Sequence, residues 1–283
     1  MGVLKRHQLP ECLQQIASPP ARLYHRGAPL QSLLQRPRVA VVGSRNVSAY
    51  GRQVTLELAG KLAEQGITII SGLALGVDAV AHRAALERSG LTIAVLPGSV
   101  ERPYPAANRQ LADEIIARGG ALVSEYNDDA FDFKQRFIAR NRLVAGLAEA
   151  VIITEAAEKS GSLHTARFAL EQGKEVLAVP GLITQSSFAG TNNLLKAGAS
   201  VVTSYLDVLH ALKLEDHQTA AQQVQGQTAH EQRLLELLLQ GVNEGTELLD
   251  RSELTTTEFN QVLTMLELRG QIRSLGANHW ALV

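Results

Sequence analysis

Four short runs carry the residue types that can hold a phosphate. The first is Gly43-Ser44-Arg45: glycine lets a ligand approach the backbone, serine offers a hydroxyl, and arginine supplies a planar fork for phosphate oxygens. Ser48-Ala49-Tyr50-Gly51 then opens a helix, whose N-terminus favours anions. The second run, Ser71-Gly72-Leu73-Ala74-Leu75-Gly76-Val77-Asp78, adds two glycines and leads into Ala81-His82. Asp78 and His82 stand one helical turn apart, a spacing a metal or an acid–base pair would use. No third ligand accompanies them, so the preferred reading is a helix-starting Asp hydrogen-bonded to a packed His.

The third run, residues 131–142, sets Lys134, Arg136, Arg140 and Arg142 among Phe131, Phe133 and Phe137. Cations for the backbone and rings for the bases are what a single strand needs. The fourth, Ser160-Gly161-Ser162-Leu163-His164-Thr165, is a hydroxyl-rich helix start suited to an anion. Pro180-Gly181 and Gly190-Thr191-Asn192-Asn193 form a further polar loop. Each run also has a plainer reading: a tight turn at Gly43, a surface charge at Arg45, a solvated helix start with phenylalanine in the core at 131–142.

Loops of this kind need strands to deliver them to one place. Short apolar runs, rich in β-branched residues, recur at 39–42, 67–70, 91–96, 121–123, 150–153, 175–179 and 200–202. Helix-period segments lie between them at 54–64, 77–87, 108–118, 165–171 and 192–196. That alternation predicts βαβ units and a mostly parallel sheet covered on both faces. In such a sheet ligands bind beyond the carboxyl ends of the strands, where all four runs fall. The dinucleotide fingerprint G-x-G-x-x-G is missing, which removes the main support for NAD, and no cofactor is expected.

The chain has 283 residues and a net charge of −1, so any polyanion site must be a local patch. The single cysteine, Cys12, excludes a disulfide framework and a thiolate zinc site, and no metal is expected. No stretch approaches the ~18 apolar residues of a membrane span, and 1–6 lacks the apolar core of a signal peptide. The expectation is a cytoplasmic protein with no membrane partner.

Residues 1–37, basic and proline-punctuated, read as an extended lead-in; 38–212 as the Rossmann-like domain; 213–228, rich in glutamine, as a linker. From 229 on, Leu234, Leu235, Leu238 and Leu239 mark one helix face. Thr256 or Thr257 caps a second helix carrying Phe259, Val262, Leu263 and Leu266, and 271–274 and 279–282 read as a hairpin. The pattern predicts a small winged helix over 229–283. Four arginines face eight acidic residues there, a charge of −4 that favours protein contact over duplex DNA.

Taken in order, these residues resemble the DprA/Smf family, the bacterial DNA-processing proteins of natural transformation. The matching pieces are Val41-Val42-Gly43-Ser44-Arg45 with Tyr50-Gly51, Ser71-Gly72-Leu73-Ala74 with Gly76-Val77-Asp78 and Ala81-His82, and Tyr104-Pro105 with Asn108. Arg140-Asn141-Arg142 with Ala145-Gly146-Leu147, Ser160-Gly161-Ser162 with Thr165-Ala166, and Pro180-Gly181 with Gly190-Thr191-Asn192 complete the set. The resemblance implies an extended Rossmann fold that binds single-stranded DNA without catalysis, dimerises, and helps load the RecA recombinase; whether single-strand-binding protein is also a partner is left open by the sequence.

By that similarity Arg45, Lys134, Phe137, Arg140 and Arg142 are the foremost strand-binding residues. Gly43, Ser44, Gly72, Asn141, Ser160, Gly161, Ser162 and Thr165 complete the expected site, and no catalytic residue is expected. Two departures stand out: Leu75 occupies a position where family members commonly carry arginine, and the chain leaves no room for the helical domain that precedes many of them. The competing readings are a nucleotide or nucleotide-signal binding protein and a phosphoribohydrolase-like enzyme using the same loops. Against the enzyme, Leu182 follows Pro180-Gly181, and no Glu follows Gly190-Thr191.

Overall fold

The computed structural model describes residues 2–127, 133–214 and 226–282, without the side chains of Phe133, Lys134 and Leu239. The described chain divides into two compact units, 1–216 and 217–283.

In the first unit the parallel strands are β3 (Arg38–Val42), β4 (Thr68–Ser71), β5 (Thr92–Leu96), β6 (Ala121–Ser124), β7 (Ala150–Ile153), β8 (Glu175–Ala178) and β9 (Ser200–Val201). All seven fall within about a residue of the apolar runs, because buried β-branched segments have few other places to go. Two more strands precede them, β1 (Gly2–Lys5) and β2 (Arg22–Gly27), giving the order β1-β2-β6-β5-β4-β3-β7-β8-β9. β1 and β2 pair antiparallel, and β2 runs antiparallel to β6.

This corrects the reading of 1–37 as a lead-in. Leu9, Leu13, Ile16, Leu23, Leu30 and Leu33 are all buried in the main core. Their signal was diluted because an edge hairpin alternates apolar and charged residues, as edges do to resist further pairing.

Helices α1 (Glu11–Gln14), α2 (Leu30–Leu34), α3 (Ala49–Glu64), α4 (Val77–Glu87), α5 (Arg109–Ala117), α6 (Phe133–Leu147), α7 (Ser162–Glu171), α8 (Ala189–Lys196) and α9 (Tyr205–Ala211) link and cover the strands. The pleat sorts the strand residues. Ala40, Val42, Val151 and Ile153 pack with Leu143, Val144, Ala166 and Ala169 of α6 and α7. Val39, Val41, Ala150 and Ile152 pack on the other face, with Leu58, Leu62, Ala81, Ala84 and Val208 of α3, α4 and α9. Successive strands step from β3 outward to β6, then restart at β7 on its other side. The order therefore reverses between β3 and β7, and the crevice at that switch point is where a doubly wound sheet offers its ligand site.

The second unit holds α10 (Ala229–Leu239), α11 (Gly245–Ser252), α12 (Thr256–Leu268) and a hairpin of β10 (Ile272–Gly276) and β11 (His279–Leu282). Leu234, Leu235, Leu248, Phe259, Leu263, Leu266 and Ile272 form its own core. The cap of α12 is Thr255, one residue before the expected threonines; its side chain accepts from Glu258 N, and Glu258 returns the bond. Most of the expected linker lies outside the described residues; Leu214 still bonds back to Leu209, and Thr228 caps α10. Among the described residues no helix is long and apolar enough to cross a membrane.

Candidate functional site

Two loops meet at the switch point. β3 ends in Gly43-Ser44-Arg45, and β7 leads through Lys159-Ser160-Gly161 into α7. With Phe137, Ile138, Arg140 and Asn141 from α6 they line a cleft of about 540 Å³ that also reaches Gly72, Asp78 and Thr165. The cleft thus gathers most of the sequence-predicted site.

Each loop is held by internal bonds. Ser44 N donates to Glu155 O (2.7 Å), and Val77 N donates to Ser44 O (3.0 Å), so the 43–45 turn is clamped from both sides. Gly43 is forced by this crossing: a Cβ there would stand 2.7 Å from both Glu155 O and Val77 Cγ2. Asn141 Nδ2 donates to Gly161 O (3.2 Å), tying α6 to the start of α7. The Ser160 and Ser162 hydroxyls are 2.8 Å apart, so one donates to the other and the second proton is left for a ligand. Gly161 and Ser162 at the start of α7 line the cleft, and among the described residues the only side chain on the first-turn amides is the Ser160 hydroxyl, 3.4 Å from Ser162 N, so the helix N-terminus is presented to the cleft.

The other anion cradles expected from sequence are filled by the chain itself. The N-terminus of α3 holds the wholly buried carboxylate of Glu155, which accepts from Ser48 N (3.1 Å) and Ser48 Oγ (2.6 Å). A Cβ on Gly51 would overlap that carboxylate, which explains the glycine. In the 72–76 loop the amides of Gly72 and Ala74 donate to Asp78 Oδ2 at 3.1 and 3.3 Å. The 180–193 loop closes on itself, with Asn192 bonding both the N–H and the carbonyl of Gly181. Phosphate chemistry is left to the 43–45 and 159–162 loops.

Arg140 differs from its expected role as a strand contact. Its side chain is almost wholly buried: Nη1 donates to Gly72 O and Val95 O, and Nε donates to Asn141 Oδ1 (3.2 Å). Gly72 is required to admit this guanidinium, since a Cβ there would overlap it. Burial pulls the group down to about 10, opposed by Asp78 and assisted by Arg45, so it stays cationic at neutral pH. Burial likewise raises the Asp78 carboxyl, with Arg140 opposing. Arg140 and Asn141 therefore buttress the cleft, joining the Gly72 loop to the Ser160 loop.

Arg142 lies outside the cleft. Its Nη2 donates to both oxygens of Glu125 at 2.6 and 2.7 Å, and its Nη1 is buried, so the guanidinium expected to contact a strand is turned inward by this ion pair. The sequence cannot reveal this, because α6 turns Arg140 and Arg142 to different surroundings two positions apart. Lys134 starts the same helix, but its side chain lies outside the described residues, as does all of Phe131.

Arg45 is the exposed guanidinium at the mouth, 4.6 Å from the centre of the Phe137 ring. Lys159, Asn46 and His164 also line the cleft and were not anticipated. Lys159 was readable, since it immediately precedes the hydroxyl-rich helix start. Glu155 carried a fainter signal, an acid two residues past a buried strand. Asp78 and His82 are not partners of one another. Asp78 serves the 72–74 amides, and His82 Nδ1 lies 2.6 Å from Thr92 Oγ1.

Comparison with known proteins identifies the fold's relatives. The family model of DNA recombination-mediator protein A matches residues 2–213, and that of the DprA winged helix domain matches 218–278. The chain is 41% identical over 206 residues to the DNA processing protein DprA of Bacillus subtilis, covering 72% of this chain and 68% of that one. It is 44% identical over 180 residues to Protein Smf of Escherichia coli, covering 64% of this chain and 48% of that one, about half the relative's length. Among solved structures, DprA of Streptococcus pneumoniae superposes with a TM-score of 0.69 at 39% identity, covering 74% of this chain and 73% of that one. DNA processing protein A of Helicobacter pylori, reported for its single-stranded DNA binding mode, gives 0.67 at 37%, covering 75% and 95%. Matched across both its α/β unit and its winged helix, the chain belongs to the family of DNA recombination-mediator protein A, the DprA/Smf proteins.

Proposed function

We propose that the chain binds single-stranded DNA by its sugar–phosphate backbone in the switch-point cleft, without catalysis, and acts in the cytoplasm as a homodimeric recombination mediator. The observation that carries this reading is Arg45, an exposed guanidinium beside Phe137 at the mouth of a cleft whose α7 end offers a helix dipole and a serine proton. Loading of RecA, with single-strand-binding protein as a further partner, extends the reading by family membership. Arg45, Ser160, Gly161 and Ser162 contact phosphate; Gly43 and Ser44 shape the turn that presents Arg45; Phe137 and Thr165 flank them; Gly72, Arg140 and Asn141 hold the loops; Lys134 joins the set by family resemblance. A non-catalytic role is supported by the two serines, which have no hydrogen-bonded base among the described residues.

Fluorescence anisotropy with oligothymidine over a salt series tests this. Each phosphate neutralised contributes about −0.7 to the slope of log K against log salt. Arg45→Ala is expected to weaken binding and flatten the slope by about 0.7, whereas Arg142→Ala leaves the slope unchanged. An unaltered isotherm for Arg45→Ala would sink the assignment. The cleft volume also suits a free nucleotide, the second reading. Affinity that rises with oligomer length supports the strand, and affinity equal to that of a mononucleotide supports the alternative.

A further inference from the structure

Resting on that reading, a question remains of where bases go once phosphates occupy the cleft. Stacking requires an accessible ring face. Phe137 lines the cleft, but Arg45 already lies over its ring at 4.6 Å, with Arg140 at 5.8 Å. Next to it stands Tyr104, whose ring meets Phe137 edge-on at 5.9 Å and 70°, and 48% of whose surface is open to solvent. The other exposed aromatic among the described residues, Tyr50, is tied into the 180–188 loop through Pro180 O and the Phe188 ring.

The turn that carries Tyr104 is held firmly. Pro103 before it is buried, and Asn108 N donates to Pro105 O (3.0 Å), closing the turn. The buried Asn108 side chain then donates to Leu73 O (2.8 Å) and Ala74 O (3.2 Å), fastening this loop to the one that Arg140 and Asp78 organise. A side chain carried on a backbone fixed in advance stacks with less ordering cost than one on a loose loop. Beyond the ring, Arg26, Arg102 and Arg109 line a second concavity of about 370 Å³ together with Glu101 and Asp113, the latter paired with Arg26, so this surface is of mixed charge and the ring itself is the feature it offers a base.

We infer that Tyr104 is a base-stacking residue, which takes the first base of the strand beyond the cleft and makes the site prefer a polymer with bases over a bare phosphate chain. The test compares oligothymidine with an abasic oligomer of equal length, which has the same charges but no bases. Tyr104→Ser is expected to weaken oligothymidine binding by about 5- to 150-fold, the range for one stacked base, with the salt slope and abasic affinity unchanged. Tyr104→Leu, which retains an apolar contact for Phe137, should lose as much; Tyr104→Trp should bind at least as well as the parent. Equal losses on both oligomers would mean a structural role, and no loss on either would mean no role; each overturns the inference while strand binding stands. Failure of the parent chain to bind oligothymidine overturns the functional reading and this inference together.

Discussion

His82 is wholly buried, and its protonation follows from one neighbour. Thr92 gives its only proton to Ile69 O at 2.7 Å, so the imidazole must donate to Thr92 from Nδ1 and carry its lone pair on Nε2. Nε2 has no partner, so a second proton would be stranded there, and burial, with Arg140 adding, lowers the pKa to about 3. The folded value lies below the ordinary 6.5, so between these pH values the folded chain binds fewer protons than the unfolded one. This contribution is complete above pH 6.5 and is lost as pH falls toward 3, on the order of 3–5 kcal/mol in all. Urea denaturation from pH 7 to 4 is expected to show a stability gap between the parent and His82→Asn that narrows on acidification. A gap that stays constant would refute the assignment.

At the scale of elements, α3 settles which ligands the fold can take. In doubly wound folds the first helix after a central strand commonly receives the pyrophosphate of a dinucleotide. Here Glu155 occupies that terminus, so the helix charge is met inside the protein and the open dipole is that of α7. Gly51 and Glu155 form one device, because any side chain at 51 overlaps the carboxylate. Gly51→Ala should therefore destabilise the chain by about 1–3 kcal/mol, the usual range for overpacking. Glu155→Ala removes both the clash and the acceptor of the Ser48 cap, so the double variant should be less destabilised than the sum of the single ones. Calorimetric or denaturant stabilities of the four proteins provide the check, and simple additivity would argue against the coupling.

At the scale of the whole molecule, the two units have separate cores and opposite relations to a polyanion. The cleft belongs wholly to the first unit, while residues 229–283 carry four arginines against eight acidic residues. Removal of 215–283 should leave the slope of log K against log salt for oligothymidine unchanged, since no phosphate contact is assigned to the removed unit. A slope that flattens by about 0.7 or more would return the winged helix to the DNA interface.

Periodicity and punctuation alone determined the parallel α/β class, the seven strand positions, the winged helix and the loops that reach the cleft. These are local properties, set by buried apolar runs and by the residues that end them. Tertiary structure decided which anion cradles stay open and which cations face a ligand. Glu155 comes from beyond β7 to fill the start of α3, Asp78 turns back onto the loop before its own helix, Glu125 engages Arg142, and Arg140 turns inward onto Gly72. It also drew residues 2–27 into the sheet, where charged edge strands had hidden their pattern. A helix start or an arginine reads the same in sequence whether or not a partner from a distant segment reaches it; long-range packing alone distributes those partners.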